Sequence, residues 1–230
     1  EESNKLNQTH LVQPVDGGFV VVNPPFAPMT TADLDAVHDL PFTRLPHPKY
    51  KGKTIPAFDM IQFSVNTHRG CFGGCAFCTI SMHQGKFIVS RSEESVLREV
   101  RKLSESPNYK GYFSDLGGPS ANMYRMAGRN LDLCAKCKRP SCISPAVCRN
   151  LETDHRPLLD LYRKVDALPY VKKSFIGSGV RYDLLLHRSD NEAVNKGNKD
   201  YTYELIAHHV SGRLKVAPEH TSDEVLKVMR

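Results

Sequence analysis

Three cysteines within eight residues form the part of the sequence best suited to chemistry. They are Cys71, Cys75 and Cys78 of the stretch RGCFGGCAFC, and no further cysteine follows until Cys134. Iron–sulfur clusters are held by cysteine thiolates, normally four for a [4Fe–4S] cluster. Three close thiolates leave one iron without a protein ligand, so an outside molecule can bind and react there. The glycines between the first two cysteines let the backbone wrap closely around a bulky inorganic core.

The spacing of these cysteines separates them from other thiol motifs. CxxxCxxC differs from the CxxC runs of ferredoxins and from the paired CxxC of zinc ribbons. Unliganded cysteines packed in a core and an oxidised pair are the two simpler interpretations. Glycine-separated thiols in a loop after a strand are not typical of a core, so we expect a cluster here.

A second group of cysteines lies in the stretch CAKCKRPSCISPAVC. Its members are Cys134, Cys137, Cys142 and Cys148, all within fifteen residues. They supply the four ligands of a tetrahedral site, as in a zinc knuckle in which cysteine replaces histidine. Bound Zn²⁺, a second [4Fe–4S] cluster, and disulfides or free thiols are all open interpretations from these residues alone.

The composition is that of an ordinary globular protein of 230 residues, with 40% hydrophobic residues and a formal net charge of +6. The basic excess is diffuse and is therefore weak evidence for a nucleic-acid partner. Seven cysteines, an odd number, without a secretion signal favour metal or redox chemistry over a disulfide framework. No apolar run reaches the roughly 20 residues of a membrane-spanning helix, so we expect a cytoplasmic protein without a membrane partner.

The cysteine groups lie within an alternating pattern of strands and helices. Helical spacing predicts one helix through Val96, Val100 and Leu103 and another that opens at Pro157. Four strands are predicted, at residues 60–65, 111–116, 174–177 and 214–217. Serial βα units predict a parallel sheet or barrel whose chemistry lies at the carboxyl ends of the strands.

The pattern predicts two regions. Residues 1–55 form a proline-rich layer with a strand at residues 18–22 and a helix at residues 31–38. Residues 56–230 hold the βα units, with a metal-binding insertion at about residues 119–152. The chain begins with Glu1 instead of Met, and a fifth and a sixth strand are missing, so we expect a longer natural protein.

Longer stretches around these motifs resemble one protein family. The cysteine loop resembles that of the radical S-adenosylmethionine (radical SAM) superfamily. Together with it, four more stretches resemble the YgiQ-type radical SAM proteins over nearly the whole chain: NPPFAPMTTADLDAVHDLPFTRLPHP, SDLGGPSANMY, SGVRYDLLL and LKVAPEHTSDEVL. The resemblance implies an α/β fold, a partial TIM-like (β/α)6 barrel in which residues 1–55 are a family-specific layer.

The resemblance also implies a reaction. Cys71, Cys75 and Cys78 would hold the [4Fe–4S] cluster, and its fourth iron would bind the amino and carboxylate groups of SAM. An electron from the reduced cluster would cleave SAM to a 5′-deoxyadenosyl radical, which abstracts hydrogen from an unidentified substrate. Auxiliary clusters occur in this superfamily, so the four-cysteine segment could hold either zinc or a second cluster.

Six further residues are implied to contact SAM. Phe77 corresponds to the aromatic residue that such proteins place against adenine. Gly117 and Gly118 match a segment whose carbonyls meet the SAM amino group, although Pro119 stands where the superfamily often has Glu. The ribose and the SAM carboxylate are implied to lie near Ser178, Arg181 and Glu219.

Two other functions could use the same cysteines. An iron–sulfur electron carrier is disfavoured because SAM-site residues accompany the three thiolates. A zinc-bearing nucleic-acid-binding module is disfavoured by the diffuse charge and by the lack of interleaved aromatic residues. We therefore expect a radical SAM enzyme that has an electron donor such as a flavodoxin or a ferredoxin. Its substrate, small or macromolecular, is not identified by the sequence.

Overall fold

The computed structural model of the chain describes residue 6, residues 9–24 and residues 26–229. The fold is mixed α/β, which confirms the predicted class at that level. Pro25 of the predicted proline-rich layer and Arg230 at the end of the predicted last helix lie outside the described residues. In the part that is described, no helix is both long enough and apolar enough to cross a membrane.

The secondary-structure elements are short. The strands are β1 (Leu11–Val15), β2 (Gly18–Val22), β3 (Ser64–Asn66), β4 (His68–Arg69), β5 (Val89–Ser90), β6 (Tyr112–Phe113), β7 (Asp115–Gly117) and β8 (Lys173–Ser174). The helices are α1 (Thr31–His38), α2 (Pro56–Ile61), α3 (Ile80–His83), α4 (Glu93–Ser104), α5 (Leu131–Ala135), α6 (Arg156–Asp166), α7 (Tyr182–Leu186), α8 (Glu192–Glu204) and α9 (Asp223–Met229). A 3-10 turn at Pro48–Tyr50 and a π-helix at Leu205–His209 complete the list.

Three parallel chain segments form the centre of the fold. β3 pairs in parallel with β7, and β6 pairs in parallel with β8. Ser114 alone separates β6 from β7, so these two strands form one central segment. Past the end of β8, Phe175 N donates to Phe113 O at 2.9 Å and Leu116 N donates to Phe175 O at 3.0 Å. The second predicted strand is therefore confirmed in position, whereas the third, predicted at residues 174–177, is found as the shorter β8 followed by the paired Phe175.

Two strand predictions need correction. The first predicted strand starts too early, because helix α2 occupies its beginning and the chain becomes extended only at Ser64. The fourth predicted strand, residues 214–217, is wrong, because this segment is irregular and its side chains are exposed. The edge position beside β8 is instead taken by the π-helix, since Ile176 N donates to His209 O at 2.9 Å.

The predicted TIM-like barrel is not confirmed. In the described residues the strands form two-stranded sheets that do not close on themselves. The pairs β1–β2 and β4–β5 are antiparallel and form two-stranded sheets of their own. Parallel strands of the kind that serial βα units predict are thus found only in the centre of the fold.

Amphipathic helices pack against the parallel segments. The predicted face of α4 is buried, with Val96 and Val100 at 0% and Leu103 at 4% exposure. Ser92 caps this helix by accepting from Ser95 N at 3.1 Å. Burial of each such apolar side chain contributes roughly 1.5–3 kcal/mol, which holds the strand ends in place. α6, α8 and the π-helix add further buried side chains: Leu158, Leu161, Tyr162, Val165, Tyr201 and Leu205.

Polar contacts attach the N-terminal segment to α4. Within this segment, the layer predicted for residues 1–55, β2 and α1 have the same bounds as the predicted strand and helix. Asp35 of α1 accepts from Ser92 N at 3.0 Å, at the first turn of α4. Glu99 of α4 is 7% exposed and pairs with both Arg91 and Arg44. A buried carboxylate with two guanidinium partners therefore fixes this segment against the helix.

Candidate functional site

The three-cysteine loop follows β4 and is closed by the short helix α3. Cys71 N donates to Gly85 O at 3.1 Å, which joins the beginning of the loop to the turn after α3. The buried Ser81 hydroxyl donates to Cys71 O at 2.7 Å and accepts from Gly74 N at 3.3 Å. One side chain thus fixes the backbone between the first two cysteines.

Two glycines of this loop lie where a side chain would not fit freely. A Cβ at Gly73 would lie 3.3 Å from Cys71 Sγ and 3.7 Å from Cys75 Sγ. Gly74 has φ 62°, and a Cβ there would lie 2.3 Å from Pro140 O. Because Gly73 has no Cβ, the space beside two sulfur atoms stays open. Because Gly74 has no Cβ, the four-cysteine segment can approach the loop closely.

Arg181, in the chain that follows β8, reaches the same loop. Its Nη1 donates to Cys75 Sγ at 3.6 Å, while its Nε and Nη2 donate to Asp183 at 3.2 and 2.6 Å. Burial lowers the pKa of Arg181, but the hydrogen bonds and charge of Asp183 outweigh burial and raise the pKa overall. A fixed positive charge therefore lies beside the thiols.

Buried amides and one histidine hold the backbone of Arg181. The Asn122 side chain accepts from Arg181 N at 2.7 Å and donates to Arg181 O at 3.0 Å. It also donates to His155 Nε2 at 3.1 Å, and His155 Nδ1 donates to Asn198 Oδ1 at 2.8 Å. Burial lowers the pKa of His155 to about 4, so the ring is neutral and can accept from Asn122. Helix α8 is thereby connected to the site.

The chemistry of the loop's donor set fits an iron–sulfur cluster. All seven cysteines are free and partly buried. Burial raises the pKa of the Cys71 thiol, whereas the Gly73 N–H and the Arg181 charge lower it. Among the residues described, no three His, Cys, Asp or Glu side chains lie close enough to share one metal ion. A [4Fe–4S] cluster does not require that, because each thiolate binds a different iron atom.

Two predicted site residues meet at the carboxyl ends of β7 and β8. Ser178 donates both its hydroxyl and its N–H, the latter at 3.0 Å, to the Asp115 carboxylate. A Cβ at Gly117 would lie 2.6 Å from Ser178 Oγ, so the two positions are in contact. The Gly117 carbonyl accepts from Thr67 N at 2.7 Å and from Thr67 Oγ1 at 3.0 Å. Both of its lone pairs are used, which leaves Gly118 as the better position for binding an amino group.

Phe77 and Glu219 are not part of this set of contacts. Phe77 lies on the cysteine loop with 54% of its surface exposed. Glu219 is exposed, has φ 63° and lies in the irregular segment before α9. Their contacts with SAM stay predictions.

A cavity of about 490 Å³ opens at the carboxyl ends of β3 and β7. Its walls include Asn66, His68, Gln84 and Gly118. Gln84 connects the cavity to the cysteine loop, because its Oε1 accepts from Gly70 N at 3.1 Å. His68 is 1% exposed, and burial lowers its pKa to about 4, so it is neutral. The cavity therefore lies between the cysteine loop and the strand ends.

The four-cysteine segment packs directly on the three-cysteine loop. Cys142 N donates to Phe72 O at 3.0 Å, so the backbones of the two segments are hydrogen-bonded. Burial raises the pKa of the Cys142 thiol to about 11, and the nearby Lys86 ammonium acts against that rise. Asn150 Nδ2 donates to Cys134 Sγ at 3.3 Å. The segment forms one wall of the cysteine loop.

Known proteins resemble this chain along its whole length. A family model described as Radical SAM N-terminal matches residues 1–64. A UPF0313 protein of Bacteroides thetaiotaomicron is 67% identical over 230 residues, which cover 100% of this chain and 37% of that protein. A UPF0313 protein of Porphyromonas gingivalis is 62% identical over 229 residues, which cover 100% of this chain and 36% of that protein. A UPF0313 protein of Pseudomonas syringae is 48% identical over 229 residues, which cover 99% of this chain and 28% of that protein. The chain belongs to the YgiQ-type radical SAM proteins.

Membership in this family confirms the resemblance predicted from the sequence. The radical SAM family implies a [4Fe–4S] cluster and SAM as cofactors. The YgiQ-type chain spans between 28% and 37% of the length of the three relatives, so the activity of the whole protein is a matter for proposal.

Sequence reasoning missed several residues that build the site of this YgiQ-type protein. Asp115, Asn122 and Asp183 lie inside the stretches that carry the resemblance: Asp115 begins β7, Asn122 follows that strand, and Asp183 is two positions from Arg181. For Asn122, its position after a strand is the signal that could have singled it out. His155 has no such local signal, because its role depends on contacts with chain segments far away in the sequence.

Proposed function

We propose that this chain is the cluster-binding and SAM-binding part of a radical SAM enzyme. The observation that carries the proposal is the contact of Arg181 with Cys75, two residues 106 positions apart in the sequence. Membership in the family implies the cluster-binding loop, and the contact supports the proposal because it puts a cation beside Cys75, next to where the carboxylate of SAM would bind. When bound, the cluster supplies the electron that cleaves SAM to the radical that abstracts hydrogen from the substrate.

In this proposal, the cysteines and Arg181 have separate tasks. Cys71, Cys75 and Cys78 each bind one iron atom through a thiolate. Arg181 pairs with the carboxylate of SAM, for which the planar guanidinium is suited because it can donate two parallel hydrogen bonds. Asp183 accepts from Nε and Nη2 of that guanidinium, so that Arg181 is oriented before SAM arrives.

The strand ends supply the remaining contacts. The Gly118 carbonyl accepts from the amino group of SAM, and Ser178, oriented by Asp115, hydrogen-bonds the ribose. Phe77 covers the adenine from the loop. The cavity beside Gly118 and Gln84 gives the substrate a route to the site.

The rest of the enzyme is also a matter of proposal. The longer relatives supply further strands that complete a (β/α)6 barrel around the central parallel segments. The protein works in the cytoplasm, where reducing conditions keep its seven cysteines as thiols. A flavodoxin or a ferredoxin delivers the electron. No described feature identifies the substrate.

Absorption spectroscopy of anaerobically reconstituted protein tests the cluster assignment. The protein should show a broad band near ~400 nm, as expected of iron bound by sulfide and thiolate. Cys71→Ala, Cys75→Ala and Cys78→Ala should each remove this band, and added SAM should perturb it in the wild type. Cys134→Ala is the matched control and should keep the band. If the band survived Cys71→Ala but not Cys134→Ala, the two cysteine groups would be assigned the wrong way round.

A further inference from the structure

The β1–β2 hairpin is apolar on both faces and exposed on both faces. Residues 19–22 of β2 read FVVV, and a short continuous apolar run of this kind is typical of a strand that is buried on both faces. In the described part of the chain, every residue of the two strands is exposed instead, with Phe19 at 70%. Phe26, which follows the hairpin, is fully exposed as well. An exposed apolar surface of this kind marks an interaction site.

The register of the hairpin shows which backbone groups of β2 point outward. The strands pair antiparallel across the two-residue turn Asp16–Gly17, with Pro14 opposite Phe19. Such pairs alternate between those that exchange hydrogen bonds and those whose N–H and C=O groups point away from the partner strand. Proline has no N–H to exchange, so Pro14 and Phe19 form an outward-pointing pair. Two positions along, Val12 and Val21 form the next such pair.

The two edges of the hairpin therefore differ in what they offer a further strand. At the β1 edge Pro14 has no donor, and proline within sheets is confined to edge strands and bulges. At the β2 edge Phe19 and Val21 each offer an N–H donor and a C=O acceptor. Among the described residues, no backbone hydrogen bond outside the hairpin uses these groups. A further strand can be added beside β2, whereas β1 is suited to remain the edge of the sheet.

The occupant of this surface has to cover the β2 edge and both faces. A second copy of the chain could pair its own β2 with that edge, but the apolar side chains on the two faces of the joined sheet would stay exposed. The chain spans between 28% and 37% of the length of the three relatives, so most of the longer protein lies outside it. Chain of the same molecule is also present at a high effective concentration. The remainder of the longer protein is therefore the occupant that fits.

We propose that β2 is an inner strand of a larger sheet in the longer protein, and that a strand from the part outside this chain pairs with its free edge. The added strand exchanges hydrogen bonds with the backbone of Phe19 and Val21. It is an apolar strand like β2, because the sheet is covered on both faces by further elements of the same part. Asp35 and Glu99 attach the N-terminal segment to α4, so this segment connects the added part to the central strands.

Amide hydrogen exchange of the longer protein tests the proposal without any radical chemistry. The amides to compare are Val21 and Val12, which lie opposite each other but point to different edges. We expect the Val21 and Phe19 amides to exchange at least about a hundredfold more slowly than the Val12 amide, because only the β2 edge gains hydrogen bonds. In this chain alone, both edges should exchange rapidly.

Two outcomes of the exchange measurement would overturn the proposal. The first is a Val21 amide that exchanges as fast as the Val12 amide in the longer protein. The second is protection of Val21 in this chain alone that rises with protein concentration, because that would identify a second copy as the occupant.

A pair of proline variants tests the same edge. Val21→Pro removes an outward N–H from β2, and Val12→Pro removes one from β1, while the hydrogen bonds within the hairpin stay possible, as Pro14 shows. In the longer protein, we expect thermolysin to cleave within residues 11–22 roughly tenfold faster in Val21→Pro than in Val12→Pro, because the added strand is loosened only in the first. In this chain alone the two variants should be cleaved alike. Equal cleavage of both variants in the longer protein would contradict the β2 edge, and the exchange measurement on the wild type decides if a variant does not fold.

Discussion

Replacement of Gly74 by alanine should push the three-cysteine loop away from the four-cysteine segment while leaving every cysteine in place. Gly74 has φ 62°, and an added Cβ would lie 2.3 Å from Pro140 O and 2.8 Å from Pro140 C. The left-handed backbone costs an alanine roughly 1–2 kcal/mol. The backbone of Pro140 cannot rotate away as a flexible side chain can, so overpacking adds a cost of about 1–3 kcal/mol. We therefore expect Gly74→Ala to lower the free energy of unfolding by about 3 kcal/mol.

Gly85, in the turn after α3, offers a matched control. It has φ 89°, but nothing lies within 4 Å of a Cβ added there. Gly85→Ala should therefore show the conformational cost alone, roughly 1 kcal/mol. Urea unfolding followed by circular dichroism measures both, and with a slope of about 2 kcal/mol per M the midpoints should fall by roughly 1.5 M and 0.5 M. Equal losses in the two variants would refute the close approach of the loop to Pro140.

Three further expectations follow from the site. Gly73→Ala should leave the unfolding midpoint of the cluster-free protein nearly unchanged but reduce bound iron and sulfide at least about twofold, because the added carbon fills space beside two sulfurs. Arg181→Met should raise the calorimetric Kd of SAM roughly tenfold, whereas the exposed Arg188→Met should not, since a charged hydrogen bond is lost in the first variant only. The pKa of His155 is lowered by burial to about 4, so the unfolded chain takes up its proton first as the pH falls. The contribution of His155 to stability should then fall by up to about 3 kcal/mol between pH 6.5 and pH 4, and His155→Gln should remove that share of the pH dependence in urea titrations.

Local features of the fold could be predicted from the sequence. Thr30 caps α1 through a capping box with Asp33, and the period of Val96 and Val100 gives the buried face of α4. Each of these features depends on side chains within a few positions of one another. The cysteine loop is equally local, because all three thiols and their glycines lie in one short stretch.

Features that depend on distant segments could not be predicted in this way. Residues 214–217 have an apolar alternation typical of a strand, but the edge next to β8 is occupied by the π-helix that ends at His209. The two hydrogen bonds between the Asn122 side chain and the Arg181 backbone join positions 59 residues apart, and no local sequence pattern predicts them. The family resemblance implied that Arg181 belongs to the site, but the contact of Arg181 with Cys75 is seen only in the structure.

Detection of 5′-deoxyadenosine is the most direct test of the proposed function. The longer protein proposed above, which contains this chain and the further strands, is incubated with its cluster reconstituted, anaerobically with SAM and a strong reductant, and the products are separated by chromatography. The wild type should form 5′-deoxyadenosine and methionine, and Arg181→Met should form them more slowly at low SAM concentration. Cys75→Ala should form none above the cluster-free background. A wild-type protein with full cluster content and bound SAM that forms no 5′-deoxyadenosine would contradict the account.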